Sequence, residues 1–162
     1  MKILFLHGYG SKPFQDRIDI LSKYGEVHSP HLFYDKDGDQ QARMIADLYE
    51  PDCIIGHSHG GQLAYRISLE TMMPVLLFNP ALGSKLNPNP KTYMVTGTDD
   101  KIIPANKQLN FARSTFGVSM RDVVHLVEGL DHGIPPWVFE EYTAKFFSKF
   151  FQTPVNQKLP LF

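Results

Sequence analysis

The sequence predicts an α/β fold, a mostly parallel sheet of about six short strands with helices on both faces. Three observations carry this expectation. Short, continuously apolar runs such as Ile3–Leu6, Cys53–Ile55 and Val75–Phe78 mark strands covered on both sides. Stretches of helical periodicity alternate with them. The chain has 162 residues, 43% apolar and 20% charged, which suits one soluble globular domain.

The elements follow in order. Ile3–Leu6 is the first strand. Ser11 is placed to cap a helix with Pro13 in its first turn. Phe14, Ile18 and Leu21 recur at helical spacing, and Gly25 ends that helix. Val27–Leu32 is a weak second strand interrupted by Pro30. A polar loop at 35–38 leads to a helix over Asp39–Glu50 with Ala42, Ile45, Ala46 and Tyr49 on its buried face, stopped by Pro51. Asp52–Gly56 is the third strand, His59–Glu70 the next helix and Val75–Phe78 the fourth strand. A Pro- and Asn-rich loop at 79–90 precedes the fifth strand, Thr92–Thr96. Ala105, Leu109, Ala112 and Phe116 mark a further helix at 4-3-4 spacing. Val123–Val127 is the sixth strand. A last helix from about Pro136 to Phe151 carries an aromatic stripe at Phe139, Tyr142, Phe146 and Phe150. The domain therefore covers residues 1–151. The tail, 152–162, contains Pro154 and Pro160 and is expected to be non-helical; it could pack on the core, meet a second subunit or be a disordered end.

The net charge of −1 argues against nucleic acid or an anionic membrane as the main partner, since both select a basic surface. The single cysteine, Cys53, excludes an intrachain disulfide framework and reads as a small buried hydrophobe. No apolar run reaches the roughly 18 residues needed to span a bilayer, and the start lacks a signal-peptide cleavage site. The expected setting is cytoplasmic. Oligomeric state is not legible.

Chemistry concentrates at strand ends. Gly56-His57-Ser58-His59-Gly60 is a G-x-S-x-G motif between a strand and a helix, the context of a nucleophile elbow. A side chain at position 56 or 60 would collide with a neighbouring element at so sharp a reversal. A serine hydroxyl needs a base and a group that orients the base. In such sheets, sites lie outside the carboxyl ends of the strands. Asp99 and Asp100 follow the fifth strand, and His132 follows the sixth. The bland alternatives are a turn serine, a capping acid pair and a loop histidine. Chain order favours the set, because Ser, Asp, His is the order of one hydrolase class. His7 reads as a structural partner for its loop, and His57 as a packing or hydrogen-bonding residue under the elbow. The His57/His59 spacing lacks the acidic partner of helical zinc motifs, so no metal is expected. The Gly8/Gly10 and Gly60/Gly61 pairs are not dinucleotide fingerprints.

His7-Gly8-Tyr9-Gly10, the elbow, the acid loop and Gly129-x-x-His132 together resemble the α/β-hydrolase superfamily. The stretch from His7 to Pro13 (His-Gly-aromatic-x-Ser-x-Pro) and the Asn79-Pro80-Ala81 triplet resemble more narrowly the small cap-less esterases of the YqiA-like (UPF0227) family. Histidines on both sides of the elbow serine depart from that pattern. The resemblance implies a three-layer α/β-hydrolase fold without a cap domain. Its acid-loop pattern, G-x-x-D followed by two aliphatic residues and proline, aligns Asp100 rather than Asp99 with the catalytic acid. It further implies an oxyanion hole from the backbone N–H groups of Tyr9 and His59, and a Ser58–His132–Asp100 triad. The implied activity is cofactor-free cleavage of carboxylic esters through an acyl-enzyme. Thioesterase, acyl-protein hydrolase and peptidase activities use the same triad, and a binding protein without turnover is the alternative from another class. The longest candidate lid, Leu82–Pro90, lies beyond the fourth strand, so the site is expected to be open and suited to small or polar acyl groups.

Overall fold

A computed structural model describes residues 1–151; the expectations for the tail, 152–162, lie outside the described residues. Six strands form one sheet: β1 (Lys2–Leu6), β2 (Glu26–His28), β3 (Cys53–His57), β4 (Val75–Phe78), β5 (Thr92–Gly97) and β6 (Val124–Val127). Their order is β2-β1-β3-β4-β5-β6, and all five pairings are parallel. Every strand therefore ends on the same edge of the sheet, and the loops leaving that edge share one surface.

The helices are α1 (Gln15–Ser22), α2 (Gly38–Tyr49), α3 (His59–Thr71), α4 (Ala105–Phe116), α5 (Met120–Val123) and α6 (Pro136–Phe150). Alternate strand residues point to opposite faces, and each face has its own core. Leu4, Leu6, Ile54, Leu77 and Met94 pack under α2–α5, against Ala42, Leu63, Ala64, Phe111 and Val123. Ile3, Phe5, Ile55, Phe78 and Val95 pack under α1 and α6, against Leu21, Val138, Phe139 and Phe146. These are the three layers of the α/β-hydrolase fold, without a cap domain. Cys53 is fully buried among apolar residues, and burial pushes its thiol up to about 12. Among the described residues, no helix is long and apolar enough to cross a membrane.

Several expected details differ. Ser11 does not cap α1: that helix starts at Gln15 behind Phe14, and the Ser11 hydroxyl contacts the Lys12 carbonyl at 3.5 Å. The second strand shortens to three residues, ending before Pro30, because it lies at the edge and pairs only with β1. The helix marked by Ala105, Leu109, Ala112 and Phe116 forms as α4, whose buried residues are Gln108, Phe111, Ala112 and Thr115. Gln108 is buried because it accepts from Thr96 Oγ1 (2.9 Å) and donates to the Ile103 carbonyl (2.8 Å). A 3-10 turn (Gly117–Ser119) and α5 precede β6 and take Val123 out of the strand. The segment 79–91 is the β4–β5 crossover. It lies against α3 and α4, with Asn89 bonded to Ser68 (3.1 Å) and the Leu86 amide facing Thr115 Oγ1 (3.4 Å).

Candidate functional site

The sharp turn from β3 to α3 holds Ser58 at φ 55°, ψ −120°, a conformation that side-chain-bearing residues rarely adopt. Two glycines make the turn sterically possible. A Cβ on Gly56 would sit 2.4 Å from the Gly60 carbonyl oxygen, and one on Gly60 would sit 2.3 Å from those of Leu6 and His7. The helix start is thus pressed against the end of β1, and Ser58 is left at the carboxyl edge of the sheet.

Loops from β5 and β6 bring Asp100 and His132 to the same place. His132 Nε2 lies 2.9 Å from Ser58 Oγ, and Nδ1 lies 2.8 Å from Asp100 Oδ2. A carboxylate can only accept, so Nδ1 carries the proton and Nε2 is free to take one from the serine. Asp100 is buried, and its other oxygen, Oδ1, accepts from the Ile102 and Ile103 amides at 2.8 Å each. The acid is therefore oriented by its own loop. Asp99 is exposed and accepts from the Thr98 hydroxyl at 3.0 Å. Of the two acids, the structure brings only Asp100 to His132.

His59 follows the serine in the chain, and the Tyr9 ring lies 6.3 Å from that of His59. Neither backbone amide is engaged in a hydrogen bond among the described residues. The loop carrying Tyr9 is pinned by His7, whose Nδ1–H donates to the Gly8 carbonyl (2.8 Å) while Nε2 accepts from the Leu32 amide (2.9 Å). That pattern requires a neutral imidazole, and burial lowers the His7 pKa accordingly. Tyr34 donates to the His7 carbonyl at 2.7 Å.

The two histidines flanking Ser58 have distinct tasks. His57 Nε2–H donates to the backbone carbonyl of His132 at 2.8 Å. Burial pushes His57 down to about 4, against the hydrogen bond to the His132 carbonyl, which favours the charged ring. His59 turns the other way, placing Nε2 2.8 Å from Asp39 Oδ1 at the start of α2, with its ring edge-on to Tyr34.

Asn79 is a member of the site whose role the sequence did not disclose. It is fully buried at φ 40°, just past β4. Its Nδ2 donates to the Asp131 carbonyl (2.8 Å), and its Oδ1 accepts from the Gly97 amide (2.8 Å). One side chain thus fixes the ends of three neighbouring strands in register with the His132 loop. The sequence signal at this position is the Asn79-Pro80-Ala81 triplet directly after a strand.

A cavity of 210 Å³ opens between the Gly8 loop and the Gly133–Ile134 segment, floored by Phe5 and Phe139. A wider cleft of 630 Å³ runs along Tyr9, Phe14, Phe33 and Tyr34. A third, of 610 Å³, lies on the outer side of His132 beside Asp99 and Ile102. Of the Ser58–His132–Asp100 set, only His132 borders one of these clefts, the third.

Solved structures with this architecture include a candidate hydrolase of the alpha/beta superfamily from Xanthomonas campestris pv. campestris (TM-score 0.72, 19% identity, covering 91% of this chain and 97% of that one). Another is SOBER1 of Arabidopsis thaliana (TM-score 0.64, 13% identity, 92% and 98% covered). A third is the meta-cleavage product hydrolase of Pseudomonas fluorescens IP01 (TM-score 0.65, 13% identity, 92% and 91% covered). At these identities the likeness establishes the shared α/β-hydrolase fold. No curated protein sequence matches the chain. Residues 2–94, from β1 through the elbow to the middle of β5, match the uncharacterised protein family UPF0227. That stretch spans more than half of the sequence, including the His7–Pro13 loop, Ser58 and Asn79-Pro80-Ala81, and the chain therefore belongs to the UPF0227 family.

Proposed function

We propose that this protein is a cofactor-free serine hydrolase that cleaves carboxylic esters of small or polar acyl groups. The observation that carries the reading is the continuous relay from Ser58 Oγ through His132 to the buried Asp100, with both links at 2.8–2.9 Å. In this mechanism His132 Nε2 takes the Ser58 proton as Oγ attacks the substrate carbonyl. Asp100 holds the tautomer and stabilises the imidazolium. The developing oxyanion sits against the amides of Tyr9 and His59, at the positive end of α3. Losing one such donor commonly costs about a hundred- to a thousandfold in rate. His132 then gives its proton to the departing alcohol, and water, activated the same way, releases the acid from Ser58. The strained backbone at Ser58 and the shared fold with proteins named as hydrolases support the reading. A cytoplasmic setting fits the near-neutral charge and the single buried thiol.

A fluorophosphonate probe tests it. Wild type is expected to label at one site, and Ser58→Ala to abolish both labelling and turnover of short nitrophenyl esters. Failure of wild type to label would sink the proposal. Parallel thioester and amide substrates decide which acyl bond is preferred.

A further inference from the structure

The 210 Å³ cavity borders the elbow through the neighbours of Ser58 rather than through Ser58 itself. Its wall residue Gly8 lies so close to the elbow that a Cβ there would be 3.2 Å from Ser58 Cβ. His57 and Gly133, the chain neighbours of Ser58 and His132, also line it. Its inner walls are buried: Phe5, His7 and Phe139 are each 3% exposed or less. It lies below the roughly 300–1,000 Å³ of pockets that take drug-sized ligands, so it suits a short chain.

Its charge is one-sided. Lys12 and Arg17 line the cavity and no carboxylate does. The two histidines in the wall, His7 and His57, add none of the opposite sign. Arg17 is held in place from three sides. Its guanidinium lies 4.8 Å over the Phe139 ring, donates to the Ile134 carbonyl, and meets Asp16 outside the cavity at 3.1 Å. Those contacts use two of its five N–H donors. Lys12 is exposed at the rim and has no ion-pair partner among the described residues. An apolar floor with Arg17 fixed at its side and Lys12 at its rim matches a short aliphatic chain that ends in an anion. The open clefts beside Tyr9 and His132 leave the alcohol its own way out.

We propose that this cavity receives the acyl chain and that the chain ends in a carboxylate, so that the substrates are half-esters of short dicarboxylic acids. The inference rests on the esterase reading. The Ser58 Oγ–acyl bond forms as the ester C–O bond breaks, and the alcohol leaves with the proton from His132. Water then cleaves the acyl-serine, releasing the dicarboxylate and one proton.

The test compares three esters by acid release with the full-length protein: monomethyl glutarate, methyl valerate, and the valerate ester of glycolate, which carries its charge on the alcohol. Monomethyl glutarate is expected to exceed methyl valerate at least about tenfold in kcat/KM. Lys12→Met and Arg17→Met should each reduce that ratio severalfold, and Arg17→Lys should keep most of it. A ratio near one, a ratio indifferent to both Met variants, or a preference for the glycolate ester overturns the inference. Binding of monomethyl glutarate and methyl valerate to the Ser58→Ala protein, followed by NMR titration, needs no turnover. Selective binding of the half-ester there, with no hydrolysis by wild type, would overturn the esterase reading alone. Binding that ignores the carboxylate would overturn this one.

Discussion

The side chain of His57 is hydrogen-bonded to the main chain of His132, Nε2 to carbonyl oxygen, at 2.8 Å. The residue before the proposed nucleophile therefore holds the loop of the proposed base. On this basis His57→Ala should lower kcat by about one to two orders of magnitude with little change in KM, because the base is less well positioned. Single-turnover and steady-state kinetics on the same ester check this. An unchanged kcat would show that the His132 loop is held by other contacts.

The same histidine is expected to make the fold acid-sensitive. Its pKa is depressed to about 4 from the ordinary 6.5, so between those values the unfolded chain binds the proton more readily. Its contribution is complete above about pH 6.5 and is lost as pH falls through the folded value. Its full size is on the order of 3 kcal/mol. His7 and His125, also lowered by burial, act with the same sign. Urea midpoints should fall from pH 7 to pH 4.5, and His57→Gln should flatten that slope without abolishing it.

Asp100 and Asp99 are neighbours in sequence with unequal surroundings. Asp100→Asn removes the acceptor that sets the His132 tautomer and is expected to lower kcat by about 10³–10⁴. Asp99→Asn leaves that contact intact and should change kcat less than about threefold. Equal losses would mean that the acid loop works through its conformation alone.

Asn79→Ala leaves the Gly97 amide and the Asp131 carbonyl unpaired in a buried place. A loss of about 2–4 kcal/mol in stability is expected, together with reduced kcat. Chemical denaturation measures the first and ester turnover the second. Asn79→Asp should be no better, since a carboxylate cannot donate to the Asp131 carbonyl.

Gly60→Ala should fail to fold or lose several kcal/mol, because the added methyl meets backbone oxygens rather than a movable side chain. Gly83→Ala, which faces open space, is the control and should fall within about 0.5 kcal/mol of wild type. A soluble, cooperatively folded Gly60→Ala protein would contradict the packing described at the elbow.

What could be read in the sequence was whatever depends on local pattern. Strands buried on both faces announce themselves by unbroken apolar runs, and Ser58 follows one, Cys53–Ile55, while Asp100 and His132 follow strands legible mainly from the alternation of strands and helices. Contacts that end on a backbone atom have no such pattern. Nothing in the spacing of His57, Asn79 and His7 says that they seek the His132 carbonyl, the Asp131 carbonyl and the Leu32 amide. The spacing of Ala105, Leu109, Ala112 and Phe116 marks α4 as a helix, but it does not show that polar Gln108 and Thr115 are buried on it. The start of α1 shows the weakness of capping rules when a hydroxyl has a nearer carbonyl to contact.

The crossover between β4 and β5 lies along α3 and α4, and Ser58 and His132 both remain partly exposed. On the esterase reading, this gives the substrate a task that a hinged cover performs in other enzymes. Solvent in front of the serine must be displaced by the ligand's own bulk as it seats. Discrimination would then be exercised after arrival, by how fully a molecule shields the reacting carbonyl, rather than at entry.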